Sequence, residues 1–497
     1  YRPDRGTGIT PGDRQATFHL KNGVAIKGGY AGFGTPHPDA RDIEVYETIL
    51  SGDIAGNDVD VNDPEKLGRE LTRSENSYRV VTGSQTDATA IIDGFSITGG
   101  YANYDDFSQC NGAGMFNVHG SPTVLNCTFI ANFAGNGDGG GLGGAMYNYH
   151  GSPTLTNCRF IYNASIALDG GEGAGGAMSN WSSNPTLTNC IFTGNIAGRD
   201  GGAMWNYESN PVLVNCIFSG NLAREGGSGS FGGGMWNYNG SASLINCTFA
   251  GNTARSSQIG SGGGGIWAAQ GNVTLINCTF NGNVAGRGGA ISGDYPYEST
   301  FLLSNCILWN DKPQEIYTPT TPPVVTYSDV QRGWPGQGNI NADPCFAAPG
   351  HWDNDLWING DYHLRSAGWR WDPAHAQWTF DRVTSRCIDA GNPGSPLADE
   401  PLTIPDDPNN DWGCNLRIDM GAYGGTAEAG IPPYDWALLA DINNDGIVDF
   451  CDLAYVGMDW GLGEAQQPGD FDRNSGVGPT DLDLLSDDWL KSTLWLE

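Results

Sequence analysis

The sequence predicts an all-β chain, a right-handed parallel β-helix solenoid, followed by a small α-helical domain of two loop–helix units. Three observations predict it. The pair Asn-Cys recurs seven times, at Cys127, Cys158, Cys190, Cys216, Cys247, Cys278 and Cys306, in steps of 31, 32, 26, 31, 31 and 28 residues. A period of this size marks a solenoid in which each repeat is one coil. Within each repeat, constant and variable positions alternate as in a strand with one face buried. Near the end of the chain, two Asp/Asn-rich loops at 441–452 and 470–481 are each followed by a helix-like run.

Each coil reads in the same order. A constant aliphatic (Val124, Leu155, Leu187, Leu213, Leu244, Leu275) precedes the Asn-Cys pair. A constant aromatic follows it (Phe129, Phe160, Phe192, Phe218, Phe249, Phe280), and three residues on Asn returns (Asn132, Asn163, Asn195, Asn221, Asn252, Asn283). The variable positions hold Thr128, Arg159, Ile217 and Thr279, which suits an outer face. A helix would need apolar residues at i, i+3 and i+4, and the glycines would break it. Asn at the bends is expected to take left-handed backbone angles and to hydrogen-bond the Asn of the next coil. The cysteine column should stack inside at roughly the strand spacing, about 4.8 Å, too far apart for disulfides. Buried thiols acting as small hydrophobes are expected. Cys110, Cys345, Cys387, Cys414 and Cys451 lie off this ladder, and spacing does not fix their pairing.

A second strand follows the Gly-Gly-Ala corner and begins at a Met column. After it come Phe116, Tyr147, Ser179, Trp205, Trp236 and Trp267, and two residues later Val118, Tyr149, Trp181, Tyr207 and Tyr238. With Met pointing in, these point out as two aromatic columns. Tyr147, Tyr149, Trp181, Trp205, Tyr207, Trp236, Tyr238 and Trp267 are therefore candidates for a partner or glycan surface. The competing reading is internal packing, with the stripe stiffening the sheet or covered by the chain's own C-terminal part. Asn117, Asn148, Asn180, Asn206 and Asn237, between the columns, are expected to form another inner ladder.

Degenerate segments flank the regular coils of about 110–310. Those at 24–34, 47–58, 78–84 and 90–100 read as four earlier turns, and those at 322–331, 361–368, 385–395 and 416–426 as later ones. The expected domains are a capped β-helix over 1–428, a linker at 429–436 marked by Ile431-Pro432-Pro433, and a terminal domain at 437–497.

Net charge is −32, and of five lysines none lies between Lys66 and Lys312. Such a chain repels nucleic acid, anionic lipid and acidic polysaccharide, and attracts cations. No run of 18 apolar residues exists, so no membrane insertion is expected. No signal peptide is visible at Tyr1; a secreted chain would have had it removed or not included. An acidic, Gly/Asn-rich, lysine-poor composition fits a secreted bacterial protein, extracellular or at the cell surface. Polysaccharide lyases need a basic catalyst that the repeats lack. Hydrolases need converging carboxylates. Here Asp138, Asp169, Glu172, Asp200, Glu208 and Glu225 are scattered, and only Asp105-Asp106 and the loop at 399–411 are dense. His119 and His150 read as surface residues. No catalytic residue is assigned.

Gly202-Ala203-Met204 with Phe218-Ser219-Gly220-Asn221, and Gly289-Ala290-Ile291 with the preceding Phe280 to Asn283, resemble the polymorphic outer-membrane-protein repeats of bacterial surface adhesins. The segments Cys387-Ile388-Asp389-Ala390-Gly391 and Met420 to Gly425 are similar to the ends of large secreted β-helix proteins that carry that repeat. The resemblance implies a β-helical rod for adhesion or assembly. That family's membrane barrel has no counterpart here, so its export and anchoring route is not expected to carry over.

The loop at 441–452 has EF-hand-type spacing: Asp441, Asn443 and Asp445 at positions 1, 3 and 5, Gly446 at the turn, the carbonyl of Ile447 at 7, Asp449 at 9 and Asp452 at 12. The second offers Asp470, Asp472, Asn474, the carbonyl of Gly476 and Asp481. Its turn holds Ser475 and its ninth position Gly478, so weaker binding is expected there. Two such loops, each ending in Asp and followed by a helix, resemble a type I dockerin. The resemblance implies two Ca2+ ions and a protein partner, either a cohesin-like module or another copy of this chain. The expected function is an extracellular, non-enzymatic rod, self-assembling into filaments or a surface layer, with a calcium-dependent docking module. The alternative is a secreted polysaccharide lyase or glycoside hydrolase tethered through that module.

Overall fold

Apart from residues 62, 104–109, 136–139, 168–171, 225–228, 256–259, 294–297, 403–414, 463–466 and 497, the whole chain is described by the computed structural model. Three ten-stranded parallel sheets run side by side, each strand hydrogen-bonded to its equivalent one coil away. One holds the Met strands, such as Met146–Tyr149 and Met204–Tyr207. The second holds the aliphatic strands before each Asn-Cys pair, such as Thr154–Thr156 and Val212–Val214. The third holds the Phe strands, such as Arg159–Ile161 and Ile217–Ser219. A six-stranded ladder of two-residue strands, Tyr101–Ala102 to Thr253–Ala254, closes the coil. This is a parallel β-helix.

Register is residue on equivalent residue: Met146 lies over Met178, Leu155 over Leu187 and Phe129 over Phe160. Like residues therefore stack inside. Consecutive Phe rings from Phe129 to Phe280 lie 4.5–5.0 Å apart and within 8° of parallel. The seven ladder cysteines are fully buried, and no described cysteine is in a disulfide. Burial pushes the thiols of Cys127, Cys158, Cys216, Cys247 and Cys278 up, Cys127 to about 12. Each polar bend repeats the same solution. Asn126 and its six equivalents hold φ between 50° and 56°, the left-handed conformation Asn tolerates best after Gly. Asn157 donates to Asn126, Asn189 to Asn157 and Asn215 to Asn189, at 3.0–3.2 Å. Inside, Asn132 to Asn283 form a buried amide ladder. Asn117, Asn148, Asn180, Asn206 and Asn237 form a second, each step 2.8 Å.

The solenoid is shorter at both ends than the pattern predicts. The four early segments make two coils, because Ala25–Lys27 and Ile49–Ser51 are two sides of one coil, and Val81–Thr82, Ile91–Asp93 and Ser96–Thr98 are three sides of the next. Parallel pairing of whole strands ends at Asp329–Val330, not near 428. Asp361–Leu364 pairs antiparallel with Phe346–Ala348 instead of adding a coil. The segments at 385–395 and 416–426 form turns that fold back over the outer face of the Phe strands. Asn246 donates to the carbonyls of Ala422 and Gly424, and the Ala422 amide donates to Thr279 Oγ1. Thr279, expected on an open face, is buried by this collar. Trp334 packs against the last coil, where the solenoid interior would otherwise be open. The expected linker is pinned as well. Ile431 is fully buried, exchanges backbone hydrogen bonds with Trp369, and accepts one from Ser366 Oγ at 2.6 Å.

Candidate functional site

The two C-terminal loops share one hydrogen-bond plan. In the first, Asp452 Oδ1 accepts from the amides of Ile442 and Asn443, and Oδ2 from Asp449. In the second, Asp481 Oδ1 accepts from Phe471 and Asp472, and Oδ2 from Gly478. At the loop starts, Asp441 Oδ2 accepts from Gly446, and Asp470 Oδ2 accepts from Ser475. Ser475 takes the left-handed φ of 73° that Gly446 takes at 95°. A serine is less at ease there than a glycine.

Two helices follow, α1 (Phe450–Asp459) and α2 (Pro479–Asp487). Asp449 caps α1 by accepting from the Cys451 amide, and Pro479 opens α2, where its missing N–H costs nothing. The loops do not pair with each other. Val448 exchanges hydrogen bonds with Leu490 and Lys491 after α2, and Val477 accepts from Gly461 after α1. Each unit is thus closed by the tail of the other.

In both loops the first and twelfth carboxylates are buried, while Asp445, Asp472 and Asn474 are exposed. Carboxylate oxygens of Asp470, Asp472 and Asp481 lie within 4.8 Å of one another. That matches oxygens around one ion with bonds of about 2.4 Å. In the first loop Asn443 stands where the second has Asp472, which removes one carboxylate from the equivalent cluster. Yet Asp441 Oδ1 is buried with no hydrogen-bond partner. Burial raises Asp441 to about 7, Arg417 working against it and Asp452 and Asp445 with it. Asp452 and Asp470 are raised too, burial being the main cause. The side-chain donors at expected ligand positions are all oxygens, with the carbonyls of Ile447 and Gly476 on the same loops. The residues fit a hard divalent cation.

Sequence reasoning missed what holds these loops to the solenoid. Asn444 donates to the carbonyls of Gly338 and Ala390, and Arg473 to those of Leu416 and Pro393. Arg417, fully buried, donates to the carbonyls of Gly391 and Asp441. One signal was available. Asn444 and Arg473 occupy equivalent places in the two loops, each with φ near 55°, so their side chains emerge on the same side.

The aromatic columns divide. Tyr147, Trp205, Trp236 and Trp267 are 5–8% exposed, covered by Leu142, Ala174 and Phe231 from the Gly-rich loops. Trp205, Trp236 and Trp267 stack at 5.2–5.3 Å. This column is packing, not an open surface. Tyr149, Tyr207 and Tyr238 are half-buried, and Trp181 is 36% exposed. His119 and His150 stack on one another at the surface, 5.4 Å apart. Asp200 is buried and paired with Arg199, which also pairs with Glu172. Asp105, Asp106, Asp138, Asp169, Glu225, Cys414 and residues 403–411 of the acidic loop lie outside the described residues. Among described helices, none is long and apolar enough to cross a membrane. Comparison with protein families, characterised proteins and solved structures finds no match.

Proposed function

We propose that this chain is an extracellular, non-enzymatic structural protein. A β-helical rod carries, clamped near its C-terminal end, a dockerin-like module that binds two calcium ions and docks to a protein partner. The observation that carries the reading is the duplicated loop: one hydrogen-bond plan used twice, with the Asp470, Asp472 and Asp481 oxygens converging in the second loop and Asp441 Oδ1 buried and unpaired in the first. From 435 to 497 there are 14 acidic and 2 basic residues, so bound cations offset a strong self-repulsion. While the loops face the collar, the helices present Phe450, Met458 and Leu482 to solvent, and the segment after α2 presents Leu490. Exposed apolar side chains on one small module suit a partner, either a cohesin-like module or a second copy. Electron microscopy with calcium and then EDTA tests the role. Filaments or sheets that dissolve in EDTA support a calcium-locked assembly; single rods under both conditions overturn self-assembly.

One observation favours a tethered carbohydrate-active enzyme. A groove of about 520 Å3 between the Phe-strand face and the collar is lined by Asn215, Asn246, Asp399, Tyr423 and Glu428. Glu428 Oε2 lies 3.1 Å from His363 Nε2, and His363 Nδ1 lies 2.5 Å from Asp361. Two carboxylates in one groove are the minimum for glycoside hydrolysis. Turnover of any glycan by the wild-type chain, lost in Glu428→Gln, selects this reading.

A further inference from the structure

Far from the C-terminal loops, a second carboxylate cluster joins the two ends of an insertion. Between Ile49–Ser51 and the next coil's Val81–Thr82, the chain leaves the solenoid. It covers the short-strand ladder with a 3-10 helix, Pro64–Arg69, whose Leu67 packs on Tyr101, Phe133 and Ile166. Asp53 and Asp58 stand at the start of this excursion, Glu75 and Asn76 at its end. Asp53, Asp58 and Glu75 bring carboxylate oxygens within 4.8 Å of one another.

The hydrogen bonds around them leave more acceptors than donors unpaired, with Arg73 Nε a buried donor that also lacks a partner. Asp53 Oδ1 accepts from the amides of Gly56 and Asn57, and Asp53 Oδ2 from that of Asp58. Asp58 Oδ2 accepts from Asn76 Nδ2 at 2.9 Å and faces Arg73 Nη2 at 3.9 Å. Asp58 Oδ1 and Glu75 Oε1 are buried and accept nothing. Asn76 is fully buried against the cluster, its Nδ2 shared between Asp58 and the Gly99 carbonyl, and its Oδ1 is also unpartnered. Arg73 Nη1 is committed to the Ala131 carbonyl, and Arg14 donates to Asn76 O and Asn103. Among the described residues, three carboxylates thus face two guanidiniums, Arg73 beside Asp58 and Arg14 within reach of the Glu75 charge, which leaves the cluster net negative. Three buried oxygens that accept no hydrogen bond keep the desolvation cost of burial uncompensated. A hard cation satisfies them together, and oxygens up to 4.8 Å apart span the diameter of a calcium coordination sphere.

We propose that Asp53, Asp58 and Glu75, with the Asn76 amide oxygen as neutral ligand, bind a calcium ion that clips the two ends of the 53–76 insertion against the N-terminal coils. The clip reinforces a loop whose ends are otherwise held by the Ser77 amide donating to the Gly52 carbonyl, the pairing of Asn76 with Asp58 and the contact with Arg73. It is independent of the C-terminal loops, so either site can fail without the other.

The test is calcium stoichiometry on the full chain, by elemental analysis after dialysis into a calcium buffer. Asp58→Asn with Glu75→Gln keeps the side-chain shapes and should remove one equivalent relative to wild type. Asp441→Asn with Asp470→Asn should leave that equivalent in place, whatever it does at the C-terminal end. Equal calcium content in wild type and the Asp58→Asn/Glu75→Gln chain overturns the proposal. Should that variant misfold, limited proteolysis of the Asp441→Asn/Asp470→Asn chain decides. With calcium at tenfold its dissociation constant, cleavage within 53–76 should slow about tenfold relative to EDTA. Unchanged cleavage overturns the clip.

Discussion

The solenoid and the C-terminal loops solve one problem, buried polar side chains, by opposite means. In the solenoid the buried polar residue is Asn. An amide both donates and accepts, so a column of identical amides satisfies itself coil after coil. In the loops the buried residue is Asp, which only accepts, and stacked copies would repel. The contrast is visible inside the solenoid too. The Asn132 ladder ends where Asp311 takes the Asn place and accepts from Asn283 at 2.7 Å. Asp311 has no amide to pass on. It lies instead beside Glu315, and burial pushes both carboxyls up, Glu315 further raised by the neighbouring Asp311. Repetition rewards amides, while carboxylates need something from outside the ladder: a proton, an arginine or a cation.

The largest expected effect separates the two regions outright. Removing divalent cations with EDTA should abolish hydrogen-exchange protection across 437–497, yet leave the strands between Met115 and Trp309 as protected as before. Equal loss in both regions would mean that the loops and the solenoid unfold as one unit. Next comes the solenoid interior. Phe218→Ala opens a gap in a stack whose rings lie 4.5–4.6 Å apart and should cost about 3–5 kcal/mol, read by denaturant unfolding in calcium buffer.

The amide rule itself is broken by Asn206→Asp. Asn206 accepts from Asn180 and donates to Asn237. A carboxylate there keeps the first bond and turns the second into two facing acceptors. The expected cost is on the order of 3 kcal/mol at pH 8, where the acid is ionised, and less at pH 4. A pH-independent loss would show that shape rather than donor polarity matters.

Which features can be read from the sequence follows the same division. The Phe129 to Phe280 column and the Asn ladders are visible because each coil repeats them, and a strand's two-residue period decides their face. The C-terminal acidic loops are visible because their oxygen-bearing residues are local, within twelve residues. What the pattern misreads is decided between distant segments. Trp205 and Trp236 do point away from the Met face, but Ala174 and Phe231 cover their column from loops with no strand pattern of their own. Tyr362 and Leu364 alternate like a coil strand, yet their partner is the nearby Phe346–Ala348 segment running the other way. Trp357 carries no repeat signal at all. It lies over Gly251 and Gly282, both with left-handed φ and no room for a Cβ, which gives the Gly of these two Phe-x-Gly-Asn corners its reason. Asp58 and Glu75 lie too far apart in sequence to be recognised as one cluster.

The smallest expected effect is a pH slope from a carboxylate relieved by a proton. Asp329 is buried beneath the collar, accepts from the Ala342 amide, and lies 3.3 Å from Cys387 Sγ. Burial pushes it up to about 7. Between about pH 4 and 7 the folded state therefore keeps a proton that the unfolded state has released. More protons bound when folded means that stability falls as pH rises through this window, and it is fully present only below the unfolded value. Asp329→Asn imitates the protonated acid in shape and charge. At saturating calcium, which holds the C-terminal loops constant, the variant should match wild type near pH 4 and exceed it by about 1–2 kcal/mol at pH 8. Asp311, pushed up by burial, and Asp389, pushed up to about 7, leave part of the slope in the variant. A variant less stable than wild type at pH 8 would mean that the charged carboxylate is held by donors rather than tolerated, and that the solenoid's end resembles the cation loops more than its own amide ladders.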